Sequence, residues 1–288
     1  MVLPVNNSQL GAAVATQEAD AGRPLDLVHT YHRWYDTFPT DAELGLARTG
    51  RTLYLNWEPL DAKGNPMPWA GIADGGHDKE IDALAARLRG QPVIFLSFSH
   101  EPEKDYGTHG NAGQFAAAFR HIHDRLSTDG VTNVRYVWNV MGLADPVWLD
   151  RYRAFWPGSA YVDWIAWDPY NWASCQAGHD RRWQSFAEIV RPFYDWLEHN
   201  GYGDRPFMLG EYGTVEAPGD PARKAAWLDA IPDELKRFPN LRALVYFDVG
   251  APPANCDWQL STSATAEQAF GRLLRAPGLA VVRPSTAP

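Results

Sequence analysis

The chain is poor in cysteine, with Cys175 and Cys256 its 2 thiols among 288 residues. There is no CxxC pair and no clustered histidine pattern, so a zinc site has no support and no metal is expected. Long apolar runs are missing as well; nothing approaches the ~18 residues that a membrane-spanning helix needs. Basic charge is scarce, with 26 Lys and Arg against 35 Asp and Glu, a formal charge of −9 and a pI near 5.4. Nucleic acid and anionic membranes call for a basic patch, so neither suits this chain, and a neutral substrate fits better. No GxGxxG and no phosphate-binding GxxxxGK motif follows a strand-like run, which leaves a nucleotide cofactor without support, and no other cofactor is expected. The GxSxG elbow of serine hydrolases is absent, and no repeat recurs at solenoid spacing.

Aromatic residues are plentiful instead: 13 Trp, 12 Tyr and 12 Phe. Aromatic faces stack on sugar rings as readily as they fill cores, so only those beside strand ends bear on function. Trp34, Trp57, Trp172 and Trp258 meet that condition and are candidate platforms for a sugar ring.

Short apolar runs at 10–14, 25–31, 52–57, 92–99, 134–140, 162–167, 206–210 and 241–247 read as strands of a sheet buried on both faces. Helical spacing intervenes at Ile81, Leu84 and Leu88, at Phe115, Phe119, Ile122 and Leu126, and at Phe186, Ile189 and Trp196. Asp220 and Pro221 predict the cap and first residue of another helix, and 265–275 supplies the last. The segment after 10–14 leaves little room for a helix, so the first repeat is expected to be irregular. Strands alternating with helices in eight repeats predict an α/β fold, a single (β/α)8 TIM barrel over residues 1–276, with a Pro-rich tail over 277–288.

Chemistry in such barrels sits where the strands end. Two glutamates arrive there: Glu101 after 92–99 and Glu211 after 206–210, on the predicted fourth and seventh strands, which face each other across the mouth. Paired carboxylates of this kind suit a retaining glycosidase, in which one group protonates the leaving oxygen and the other attacks the anomeric carbon. Pro102 biases Glu101 toward an extended backbone that continues the strand. Gly210 and Gly213 leave room for close approach around Glu211.

His100-Glu101, Asp168-Pro169-Tyr170 and Gly210-Glu211-Tyr212-Gly213, together with the stretch 156–165, resemble the motifs of glycoside hydrolase family 26, whose best-known members are β-mannanases. The resemblance spans about 25–274. It implies Glu101 as acid/base, Glu211 as nucleophile and Tyr170 as a hydrogen-bond donor to that nucleophile. On this reading Tyr170 holds Glu211 ionised, while apolar surroundings raise the pKa of Glu101 and keep it protonated. His100 would position Glu101 or bind a sugar hydroxyl, and Asp168 would bind sugar or orient a neighbour. Family mannanases follow the His-Glu pair with glycine and a tryptophan-rich stretch, whereas this chain continues Pro102-Glu103-Lys104-Asp105-Tyr106-Gly107. The cleft wall is therefore expected to differ, and β-1,4-mannan, β-1,3/1,4-glucan, β-1,3-xylan and bacterial exopolysaccharide all stay open as substrates. A barrel that binds polysaccharide without cleaving it is the alternative.

Cys175 and Cys256 both follow strands on one barrel face, so a disulfide is open to them, as are two free thiols. A bond would imply an oxidising compartment. The opening residues lack a charged start and a long apolar stretch, and the expectation is a secreted, monomeric enzyme read here in its mature form.

Overall fold

The computed structural model describes residues 1–3, 9–173, 175, 182–251 and 256–279. Strands β1 (Leu27–Arg33), β2 (Thr52–Glu58), β3 (Ile94–Phe98), β4 (Val134–Val140) and β5 (Trp164–Trp167) pair in parallel in chain order. A two-residue piece, β6 (Tyr170–Asn171), flanks the upper end of β7 (Phe207–Thr214), which itself lies between β5 and β8 (Leu241–Tyr246). Residues 1–3 close the ring: Val2 N donates to Tyr246 O at 2.9 Å, and His29 N donates to Met1 O at 3.0 Å. This short stave stands first, so Glu101 follows the fourth stave and Glu211 lies within the seventh, the two staves that the sequence predicts.

The expected strand at 10–14 is instead the start of helix α1 (Leu10–Ala21). Leu10 and Val14 are four residues apart and share the buried face of that helix, a spacing that five residues of apolar pattern cannot distinguish from a buried strand. Gly22 ends it in the left-handed conformation, at φ 71°. The first repeat is thus a full helical unit rather than an irregular one.

The outer shell continues with α2 (Asp41–Arg48), α3 (Trp69–Ala73), α4 (Asp78–Leu88), α5 (Ala112–Thr128), α6 (Pro146–Phe155), α7 (Phe186–His199), α8 (Arg223–Glu234) and α9 (Ala264–Leu274). In α5 the Asn111 and Gln114 side chains cap each other's backbone, and Phe115, Phe119, Ile122 and Leu126 form the buried face. Helix α8 starts two residues beyond the predicted Asp220-Pro221 opening; Asp220 accepts from Ala222 N at 3.3 Å and caps nothing further along. Among the described residues no helix is long and apolar enough to cross a membrane. The Pro-rich tail lies outside the described residues from 280 onward.

Every residue of β3 and of β7 is buried, because helices cover the outer face while side chains fill the lumen. Val2, Tyr54, Phe95, Val137, Ala166, Met208 and Val245 pack together inside the ring and make it a filled core rather than a pore. Cys175 and Cys256 are bonded. Their bridge sits in a small apolar cluster with Ala173, Val215 and Trp258, above the end of β7.

Candidate active site

Glu211 is set within β7, between Gly210 and Tyr212, with its side chain 10% exposed at the barrel mouth. Two phenols hold it. Tyr31, on β1, donates to Glu211 Oε1, and Tyr170 donates to Oε2 at 2.5 Å. Burial and the Glu211 charge push both phenols well above their ordinary pKa, so they remain neutral donors. His100 Nε2 lies 3.4 Å from Glu211 Oε1 and 3.1 Å from Asp168 Oδ2. Burial pulls the imidazole's pKa down, but Asp168 and Glu211 more than reverse this and push it up to about 10, which makes it a cation at neutral pH. Burial holds the Asp168 carboxyl above its ordinary value, and the charge of His100 offsets only part of that rise. Asp168 Oδ2 also accepts from Asn139 Nδ2 at 2.6 Å, and Asn139 Oδ1 accepts from the Tyr54 hydroxyl at 2.8 Å. The floor of the site is therefore one hydrogen-bonded network drawn from residues on, or just beyond, seven strands, β1 to β7.

Gly210 is needed for that network to exist. A Cβ at this position would stand 2.0 Å from Asn139 Oδ1 and 2.8 Å from Asp168 Oδ1, so only glycine lets β7 pass so close to them.

Glu101 does not continue its strand. β3 ends at Phe98, and Ser99 and Glu101 both take left-handed backbone conformations, at φ 54° and 51°. The preference that Pro102 imposes is overridden by hydrogen bonds that pin the turn: Ser99 N to Trp57 O at 3.0 Å, His100 N to Glu58 Oε1 at 3.2 Å and Glu101 N to Asn139 O at 3.2 Å. The expected protonation state is also corrected. Burial does raise the Glu101 pKa, but His100 and Lys104, whose Nζ is 2.7 Å from Glu101 Oε2, outweigh it and leave the carboxyl below its ordinary value.

Both glutamates line a cleft of about 550 Å³ with Tyr31, Glu58, His100, Lys104 and Phe247. No family model matches the chain. Endoglucanase H of Acetivibrio thermocellus is 28% identical to it over an aligned length of 284 residues that covers 91% of this chain, while the chain spans 30% of that relative's length. Among solved structures, the catalytic domain of the GH26 endo-β-1,4-mannanase of Bacillus sp. JAMB-750 matches 95% of the chain and 82% of its own at 15% identity, with a TM-score of 0.65. A GH26 β-mannanase from Bacteroides ovatus matches 91% and 82% at 15% identity, also with a TM-score of 0.65. The chain has the family-26 fold.

Within that family-26 fold the predicted residues separate into two groups. Glu101, Glu211, His100, Asp168 and Tyr170 come together at the mouth. Three of the tryptophans do not serve as platforms. Trp34 and Trp57 are 1% and 0% exposed and stack on each other at 3.9 Å between sheet and helices. Trp258 is 2% exposed and packs behind Tyr170, with ring centroids 4.6 Å apart. Trp172 differs: it is only partly buried, edge-on to Trp258 and beside Tyr170, and keeps part of its ring exposed. Proximity to a strand end said nothing about which face of the strand each ring takes.

The sequence reading missed Tyr31 and Glu58. Tyr31 follows His29 by two residues on β1, so period-two alternation places both on the face that turns toward the site, and His29 lies 3.5 Å from the Tyr31 hydroxyl. Glu58 stands one residue past the apolar run at 52–57; burial raises its pKa. His100, Asp168 and Glu211 each bring one ligand-type atom to within 4.8 Å of the others, but the imidazolium form of His100 has no lone pair to offer a metal ion. Their nearest partners are Tyr31, Tyr170 and Asn139, which supply hydrogen-bond donors rather than further ligand oxygens.

Proposed function

We propose that the chain is a retaining, endo-acting glycoside hydrolase of β-linked polysaccharide, with Glu211 as nucleophile and Glu101 as acid/base. One observation carries this reading. Glu211 is a nearly buried carboxylate whose two oxygens each accept a phenol hydrogen bond, and it opens on a cleft that Glu101 also lines. Hydrogen bonds from the two phenols fix the direction of both carboxylate oxygens, and His100 Nε2 stands a further 3.4 Å from Oε1, so the group is oriented for attack. In the first step an oxygen of Glu211 attacks the anomeric carbon, and Glu101 protonates the departing oxygen. In the second, Glu101 takes a proton from water, which displaces Glu211 from the sugar. His100 lines the cleft, where it would bind a hydroxyl of the sugar ring, and the fully buried Asp168 orients His100 from below.

Among the open substrates, β-glucan is favoured by the relative named an endoglucanase, which is closer in sequence than the two mannanases. The loop at 102–107 agrees, since it lacks the tryptophan-rich wall of the mannanases. The Cys175–Cys256 bond supports secretion, because such bonds persist in oxidising compartments. We assign the enzyme as an extracellular monomer acting on polysaccharide without a cofactor.

Reducing-end release from mixed-linkage glucan, mannan, β-1,3-xylan and exopolysaccharide, with Glu211→Ala in parallel, tests the proposal. Activity that vanishes in the variant names the substrate. Turnover that survives it removes Glu211 as nucleophile, and tight glycan binding without turnover by the wild type makes the chain a binding barrel.

A further inference from the structure

The loop that carries Glu101 holds a cation that the two-carboxylate mechanism does not use. Lys104 lies one turn beyond Glu101, its backbone N–H donating to the Glu101 carbonyl at 3.1 Å, and its ammonium is 2.7 Å from Glu101 Oε2. The lysine side chain is 45% exposed, whereas the glutamate is 17% exposed. One partner is anchored in the cleft, and the other has solvent beside it.

We propose that Lys104 is a displaceable latch on the acid/base: its ammonium sits on Glu101 in the empty cleft and swings into solvent when a glycan enters. This inference rests on the assignment of Glu101 made above. An ammonium on a four-carbon stem is suited to such a movement, being strongly hydrated and flexible. Asp105 and Glu58 also face Lys104 and offer it places to go.

The latch acts through the proton. While Lys104 is in place Glu101 is held as a carboxylate, the form that the second step needs but the first cannot use. On displacement Glu101 takes one proton from solvent and gives it to the leaving oxygen as the glycosidic C–O bond breaks and the Glu211 ester forms. It takes a proton from the water that hydrolyses the ester and releases it to solvent as Lys104 returns, which closes the cycle. The other groups facing Glu101 are His100, Glu103 and Asp105 from its own loop, Asp168 beyond β5 and Tyr152 of α6. Glu103 is fully buried and pushed up to about 8, so at neutral pH it contributes little opposing charge. Lys104 and His100 are the cations of the group, and Lys104 is the one with solvent at hand.

The test is the pH profile of kcat/KM for Lys104→Met and Lys104→Arg on the glycan that the wild type hydrolyses, beside an aryl glycoside whose leaving group needs no protonation. Loss of an adjacent opposite charge moves a carboxyl by about 1–3 units. The alkaline limb of Lys104→Met is therefore expected about one unit or more higher, so that above both limbs the variant outruns the wild type by about tenfold. Lys104→Arg should keep the wild-type limb, and the limb on the aryl glycoside should stay put in both variants. An unmoved limb in Lys104→Met, or an equal move in Lys104→Arg, overturns the latch while leaving the glycosidase intact. A wild type that hydrolyses no glycan overturns both. Equal melting temperatures for all three proteins confirm that the limb reports charge rather than folding.

Discussion

Replacing Gly210 with alanine adds one methyl group, yet it strikes two residues that have nowhere to go. The new Cβ would lie 2.0 Å from Asn139 Oδ1 and 2.8 Å from Asp168 Oδ1. Asn139 is fixed from both ends, by Tyr54 at 2.8 Å and by Asp168 at 2.6 Å, and Asp168 in turn is held by His100. Relief must come from breaking these bonds or from moving β7. A lost neutral hydrogen bond is worth about 1 kcal/mol and one to a carboxylate about 1.5–3, so the expected destabilisation is about 2.5–4 kcal/mol. At roughly 2 °C per kcal/mol for a chain of this length, the melting temperature should fall by roughly 5–8 °C. If β7 moves instead, Glu211 moves with it, and misplacement by about 1 Å lowers kcat/KM by about 100-fold. Calorimetry and steady-state kinetics on purified Gly210→Ala read the two outcomes. A variant within about twofold of wild-type kcat/KM and about 1 °C of its melting temperature would refute the claim that β7 passes this close because it has no side chain.

Glu101→Ala should lose about 10²–10⁴ in rate on polysaccharide and far less on an aryl glycoside with a good leaving group; equal losses on both would remove Glu101 as acid. Converting both Cys175 and Cys256 to serine opens a bridge across 81 residues, which the chain-entropy account puts at about 4–5 kcal/mol, and a denaturant midpoint unchanged by the double substitution would contradict it. His100 has its pKa raised from 6.5 to about 10, so the stability it contributes is fully present below pH 6.5 and fades as pH rises through 10. The difference in unfolding free energy between wild type and His100→Gln should accordingly shrink across that range, and a constant difference would mean that the imidazolium pairing contributes nothing.

The barrel was legible because its staves are buried on both faces and therefore read as short uninterrupted apolar runs, such as 134–140 and 206–210. The first stave was not. Three residues carry too little pattern to register, and the apolar run at 10–14 drew the assignment to itself although its Leu10 and Val14 belong to one helical face. Glu101 and Glu211 could be found because carboxylates at the ends of apolar strands stand out from the core pattern. What Glu101 does when the cleft is empty could not be found, since it depends on a turn whose left-handed residues contradict the local bias of Pro102. The aromatic residues show the same limit. Trp57 and Tyr31 both lie near strand ends, and register and neighbouring strands decide that the first is sealed against Trp34 and the second reaches Glu211.

The left-handed turn at Ser99 and Glu101 sets selection for function against selection for durability. Residues other than glycine or asparagine hold such a conformation at a cost of about 1 kcal/mol each, so both positions would be more comfortable with glycine. A laboratory screen of this protein for heat resistance alone would reward that change at residue 101 and discard with it the carboxyl that we propose as the acid. Any stabilised descendant therefore has to be selected on turnover as well as on survival.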